Sequence, residues 1–87
     1  MPPEPLVYSK DNIQNWMIMY LANLLMIAPD DVDPTVTFDS YGLDSSAAIG
    51  MTGDLEDWLK HQVDPTVLYD YPAIHALATH LADVMNS

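Results

Sequence analysis

Cysteine is absent from this 87-residue chain, and so is arginine; Lys10 and Lys60 are its only permanently cationic side chains. The first absence excludes disulfides, thiolate zinc sites and a cysteine nucleophile, while leaving the compartment open. The second argues against nucleic acid as a partner, because phosphate contacts need a basic stripe. Anionic membrane surfaces are excluded on the same ground. Nor is there an apolar run long enough to cross a bilayer, which takes about 20 residues. From Trp16 to Ala28 only Asn23 is polar, but that stretch is too short. Met1-Pro2-Pro3-Glu4-Pro5 has neither the basic nor the apolar region of a signal peptide and reads as an extended tether. Strand-period alternation is missing throughout, which leaves an all-helical reading.

What the chain does have is acid and apolar surface. Thirteen Asp and Glu give a formal charge of −11, and 49% of the residues are hydrophobic. A chain of this length forms one small domain that buries ~60–65% of its unfolded surface, an adequate but thin core. Its charge suits proteins with basic docking surfaces, met through electrostatic steering.

Ser9 is placed to start helix one, with Tyr8 and Ile13 spaced as a hydrophobic staple. Ile13, Trp16, Met17, Tyr20, Leu24 and Ile27 fall on one face, and Pro29 is expected to end the helix near Ala28. Residues 29–44 form a long connection, pinned to the core by Val32, Val36, Phe38, Tyr41 and Leu43; connections of this length tend to be functional. Helix two runs from Ser45 to Leu59 or Lys60, burying Ala48, Thr52, Leu55 and Leu59 with Met51 and Trp58 alongside. Gly50 and Gly53 weaken it by about 1 kcal/mol each and leave room for close approach. Asp64-Pro65 starts a short helix through Tyr69. Helix four carries Ile74, Leu77, Ala78, Leu81 and Met85. Asp-Pro-Thr-Val occurs at 33–36 and again at 64–67, one turn chemistry used twice. The expected architecture is a small four-helix bundle, three helices longer and one short, with a long loop between helices one and two. Residues 1–8 are assigned as the Pro-rich tether and 9–87 as the folded domain.

The most informative stretch is Tyr41-Gly42-Leu43-Asp44-Ser45-Ser46, where the long connection gives way to helix two. Asp44 suits the N-cap, its carboxylate accepting a first-turn N–H. Ser45 then becomes the first helical residue, a hydroxyl at the positive end of a helix, where an attached phosphate is favoured. An Asp-Ser pair taken alone is more often just a cap.

The ordered set of Trp16–Leu24, Asp33-Pro34, Phe38, Gly42-Leu43-Asp44-Ser45, Pro65-Thr66, Tyr71-Pro72, Leu77-Ala78 and His80-Leu81-Ala82 resembles the acyl carrier protein domains of polyketide and fatty acid synthases, over nearly the whole chain. The resemblance implies a non-enzymatic, cytoplasmic carrier. A phosphopantetheinyl transferase esterifies Ser45 with 4′-phosphopantetheine from coenzyme A, and the terminal thiol holds an acyl chain as a thioester. Asp44 then both caps the helix and meets the transferase. Ser46, Ile49, Asp54, Glu56 and Asp57 are the implied docking residues. The implied partners are a ketosynthase, an acyltransferase or acyl-activating ligase and other synthase domains, met through their basic surfaces. Peptidyl carriers usually show Gly-Gly-His-Ser or Gly-Gly-Asp-Ser here, so Leu43-Asp44 tilts the reading towards an acyl carrier. Ser46 departs from the family, which generally has an apolar residue after the modified serine.

Three other readings weaken on inspection. His61, His75 and His80 lack ligand spacing, and no metal is expected. Position twelve of an EF-hand loop counted from Asp31 is Gly42 rather than Glu. Ser45 has no Gly-x-Ser-x-Gly elbow and no histidine near it in sequence. Asp54, Glu56 and Asp57 also have the plain reading of a solvated face. On helix one, Ile18, Met19, Ala22, Leu25 and Met26 project away from the expected core stripe. They either pack under the long loop or form an apolar docking patch. A peptidyl carrier of a nonribosomal synthetase and an unmodified helical interaction module stay open as alternatives.

Overall fold

The structure, a computed structural model, describes residues 8–85. Four α-helices lie among them: α1 (Lys10–Leu25), α2 (Ser45–Leu59), α3 (Val67–Asp70) and α4 (Ile74–Met85). The all-α bundle and the long α1–α2 connection are as expected. The tether assigned to residues 1–8 lies outside the described residues except for Tyr8, which packs against the core.

Ser9 starts α1 as its cap, its hydroxyl accepting the Asn12 N–H at 3.1 Å. The helix buries Ile13, Met17, Leu21 and Ala22. This differs from the sequence reading in two ways. The buried arc turns towards Leu21 and Ala22, because α1 packs along α4 on that side. Leu24 and Ile27 are exposed, and Trp16 and Tyr20 are half-buried. The helix also ends three residues early. Met26 adopts the left-handed conformation (φ 59°), and its N–H and that of Ile27 both turn back to the Ala22 carbonyl. Pro29 begins a separate 3-10 turn, Pro29–Asp31. Left-handed backbone costs a non-glycine residue about 1–2 kcal/mol, and glycine is the common solution at this position.

An aromatic seam joins α1 to α2. Trp16 stacks on Tyr20 (centroids 5.4 Å apart) on one side and on Trp58 (5.5 Å) on the other. Tyr8 meets Trp58 edge-on at 5.2 Å and donates its hydroxyl to the Trp58 carbonyl at 3.0 Å. Such pairs contribute ~0.5–1.5 kcal/mol each beyond burial.

The α1–α2 connection is held where the sequence suggested. Val32 and Phe38 are buried, Tyr41 and Leu43 pack on the core, and Val36 is half-buried. The duplicated tetrapeptide makes the same turn twice. Asp33 Oδ1 accepts Thr35 N–H (2.9 Å) and hydroxyl (2.7 Å); Asp64 Oδ1 accepts the Thr66 pair, both at 2.9 Å. These bonds hold both carboxyls below their ordinary pKa, the Asp33 hydroxyl contact and the Asp64 backbone contact weighing most. A second 3-10 turn, Asp39–Tyr41, closes at Gly42, whose φ of 78° favours glycine. Helix α4 buries Ile74, Leu77, Ala78 and Leu81, with Met85 half-buried. No helix among the described residues is long and apolar enough to cross a membrane.

Met26→Gly tests the account of the α1 terminus. The replacement relieves the left-handed strain, partly offset by the greater freedom of glycine when unfolded. The expected result is a gain of about 0.5–1 kcal/mol in urea unfolding; a loss would mean the Met26 side chain holds the terminus.

Candidate functional site

Asp44 leaves the connection in extended backbone, and its carboxylate accepts the Ala47 N–H at 2.8 Å. Its carbonyl accepts the Ala48 N–H at 2.9 Å. Ser45 is thereby the first residue of α2, as expected, with Ser46 next; both are exposed. The N–H groups of Ser45 and Ser46 have no acceptor within the helix, so positive potential gathers around the Ser45 hydroxyl.

Beside Ser45 opens a cleft of about 500 Å³, bounded by the connection, the first turns of α2 and the α3 region. Phe38, Leu43, Ala48, Leu68 and Pro72 give it apolar walls, and Asp39, Asp44 and Thr66 add polar groups. Two large side chains flank it in the open: Ile49, 55% exposed, and Tyr69, 83% exposed. No histidine lines the cleft. The nearest carboxylate in sequence, Asp44, is committed to its cap. This arrangement sets the exposed Ser45 beside an open cleft with apolar walls.

The remaining candidates separate. Ser46, Gly50, Gly53 and Asp57 run along the exposed side of α2. A Cβ on Gly50 would meet the Tyr20 hydroxyl at 3.6 Å, whereas Gly53 has nothing within 4 Å. Asp54 pairs with the Tyr20 hydroxyl; burial first, then the Asp54 charge and hydrogen bond, push the phenol above its ordinary pKa. Glu56 is half-buried and accepts the Val63 N–H at 2.9 Å, which ties down the α2–α3 loop. The three carboxylates expected to dock together therefore divide, and Asp57 carries no such structural tie among the bonds described. On α1, the suggested docking patch also divides. Ala22, 3% exposed, is core; Ile18 and Leu25 are half-buried; Met19 and Met26 are open to solvent. Ala22 was misplaced because the buried arc of α1 is rotated towards α4. Among the described residues no group of three or more His, Asp or Glu is arranged to hold a metal ion.

Residues 15–81 match the family described as "Phosphopantetheine attachment site". The chain belongs to that family. The family implies a covalently attached 4′-phosphopantetheine, and its members are carriers that do not themselves catalyse. Among solved structures, an acyl carrier protein from Anabaena sp. PCC 7120, described as having a variant phosphopantetheinylation-site sequence, superposes with a TM-score of 0.85 at 36% identity, covering 98% of this chain and 94% of its own. A free-standing peptidyl carrier protein from Acinetobacter baumannii superposes at 0.83 with 38% identity, covering 90% and 98%. A phenolphthiocerol/phthiocerol polyketide synthase of Mycobacterium tuberculosis is 34% identical over 71 residues, 82% of this chain. The chain spans about 4% of that synthase's length.

The carrier's own residues fit the prosthetic group. An exposed hydroxyl stands at a helix N-terminus that favours phosphate, beside an open cleft with apolar walls. Asp39 and Asp44 also line this cleft, and their charge would oppose that of a phosphate drawn into it.

Tyr69 and the cleft walls were not legible in sequence as a site, because Phe38, Leu68 and Pro72 meet Ser45 only through tertiary folding. The Glu56–Val63 tie had no sequence signal either. Asp44→Ala should cost about 1 kcal/mol in urea unfolding through loss of the cap, and Asp44→Asn only a few tenths. Equal losses would mean that the charge of Asp44 matters more than its hydrogen bond.

Proposed function

We propose that this chain is an acyl carrier domain, modified with 4′-phosphopantetheine on Ser45 by a phosphopantetheinyl transferase and acting in the cytoplasm. The observation that carries the reading is the exposed Ser45 hydroxyl on the first residue of α2, capped by Asp44 and opening onto an apolar cleft. When attached, the group supplies a terminal thiol on which acyl or polyketide chains are carried as thioesters. In attachment Ser45 Oγ would attack the pantetheine-bearing phosphorus of coenzyme A, the P–O–P bridge would break, and adenosine 3′,5′-bisphosphate would leave. The Ser45 hydroxyl proton must pass to a base on the transferase, since no histidine lines the cleft and Asp44 is occupied by its cap. The arm keeps the cargo at high effective concentration for each synthase partner. Ketosynthase, acyltransferase or acyl-activating ligase domains would meet the chain at Ser46, Ile49 and Asp57, with Asp54 and Glu56 contributing less because Tyr20 and Val63 already engage them. Ser46, the polar residue after Ser45, should weaken transferase affinity relative to an apolar one.

A second reading, a peptidyl carrier loaded with an amino acid by an adenylating domain, is favoured by the 38% identity to a free-standing peptidyl carrier. Leu43-Asp44 before Ser45 and the polyketide synthase relatives support the acyl reading.

Incubation with coenzyme A and a broad-specificity transferase should raise the intact mass by one phosphopantetheine in the wild type and not in Ser45→Ala. If neither gains mass, Ser46→Leu decides the matter. Rescue would blame the transferase contact, and continued failure would leave an unmodified interaction module. Loading by malonyl transfer rather than by amino acid adenylation separates the acyl from the peptidyl carrier.

A further inference from the structure

Six large hydrophobic side chains stand exposed among the described residues, and they are not scattered. Ile49 and Tyr69 flank the Ser45 cleft. The other four, Met19, Leu24, Met26 and Ile27, lie within nine residues at the end of α1. Met19 lies on the last turns of α1, and Met26 is the left-handed residue that closes it. They are 50% and 92% exposed. Met26 is doubly anomalous, since glycine or asparagine would ease its left-handed backbone and also keep an apolar side chain out of water.

Beside Met19 runs a groove between α1 and the Pro29–Asp31 turn. Ile18, Met19, Pro29 and Val32 give it apolar walls, and Asn15 and Asp30 form its rim. Asp30 and Asp31 are exposed there, and exposed Asp33 follows shortly along the chain. Of the two lysines, Lys10 starts α1 at its opposite end and Lys60 closes α2. The helix places Lys10 about 24 Å from Met26, at roughly 1.5 Å per residue, and Lys60 follows Trp58, which packs on Tyr8 just before the start of α1. Methionine is suited to such a place, because its flexible thioether adapts to varied apolar partners. Charge decides the occupant. A second copy brings −11 against −11, whereas a cationic partner gains at the rim.

We propose that the exposed Met19 and Met26 at the end of α1, with the neighbouring Pro29–Asp31 groove, form a docking site for an amphipathic, Lys/Arg-rich protein helix. The occupant lays apolar side chains on Met19 and Met26, and its basic residues face Asp30 and Asp31.

The test uses the full chain with its methionine methyls ¹³C-labelled and a synthetic amphipathic helix of leucine and lysine, about four turns long. The same peptide with glutamate for lysine serves as control. The expected result is that the cationic peptide shifts the Met19 and Met26 methyl signals and the glutamate peptide does not. Met19→Gln with Met26→Gly should weaken binding about tenfold, as removal of central anchors does. Asp57→Asn on α2 should change it less than about twofold. Met26→Gly alone eases the backbone and keeps the fold, so weaker binding by that variant cannot be ascribed to unfolding. Unchanged affinity in Met26→Gly and in the double variant would overturn the proposal, as would peptide-induced shifts confined to α2. Concentration-dependent shifts of the two methyls without peptide would give the face to a second copy. Equal shifts with phosphatidylcholine vesicles would give it to lipid. Either of these outcomes refutes the proposal.

Discussion

The hydrogen bond from the Phe38 N–H to the Pro72 carbonyl, 2.8 Å long, joins the α1–α2 connection to the start of α4. It does not act alone. Thr37 and Ala73 form an isolated antiparallel bridge beside it, and the His75 N–H reaches the Pro34 carbonyl at 2.9 Å. The Phe38 side chain is buried at this junction and Ala73 beside it is buried too. From this anchor the next residues are placed in order. The Tyr41 and Leu43 N–H groups both return to the Phe38 carbonyl, Gly42 supplies the reversal, and Asp44 arrives extended to cap α2. Without the anchor the cleft would lose the walls made by Phe38 and Pro72, and Ser45 would stand on a helix end without a channel.

Much of this was legible in the sequence, for local reasons. Ser9, Asp44 and the two Asp-Pro-Thr turns are caps and turns made by side chains bonding backbone two or three residues away. Their chemistry needs no tertiary information. Helix α4 was read well because its apolar stripe faces a single core. Helix α1 was read less well because it is apolar nearly all round from Trp16, so its pattern could not choose between adjacent arcs. Packing against α4 chose Leu21 and Ala22. The end of α1 was misjudged for a related reason. Pro29 is a visible stop signal, but the chain stops earlier at a left-handed Met26, which few methionines adopt.

The acidic surface of α2 is less uniform than its sequence suggests. Asp54 and Glu56 are drawn into the fold by Tyr20 and by the Val63 N–H. Asp57 is left on an exposed side shared with Ser46 and Gly53, where Gly53 leaves open space and Gly50 faces the Tyr20 hydroxyl. The helix glycines cost stability, but they leave the ground beside Ser45 open. The exposed apolar groups follow a similar division. One pair borders the cleft, and four side chains lie at the end of α1.

Ser45, and not its neighbour Ser46, is proposed to bear the prosthetic group. Tandem mass spectrometry of the peptide spanning the start of α2, taken from enzymatically modified protein, locates the group on one hydroxyl. The account predicts the added mass on Ser45 with Ser46 unmodified. Modification of Ser46, or of both serines equally, would contradict it.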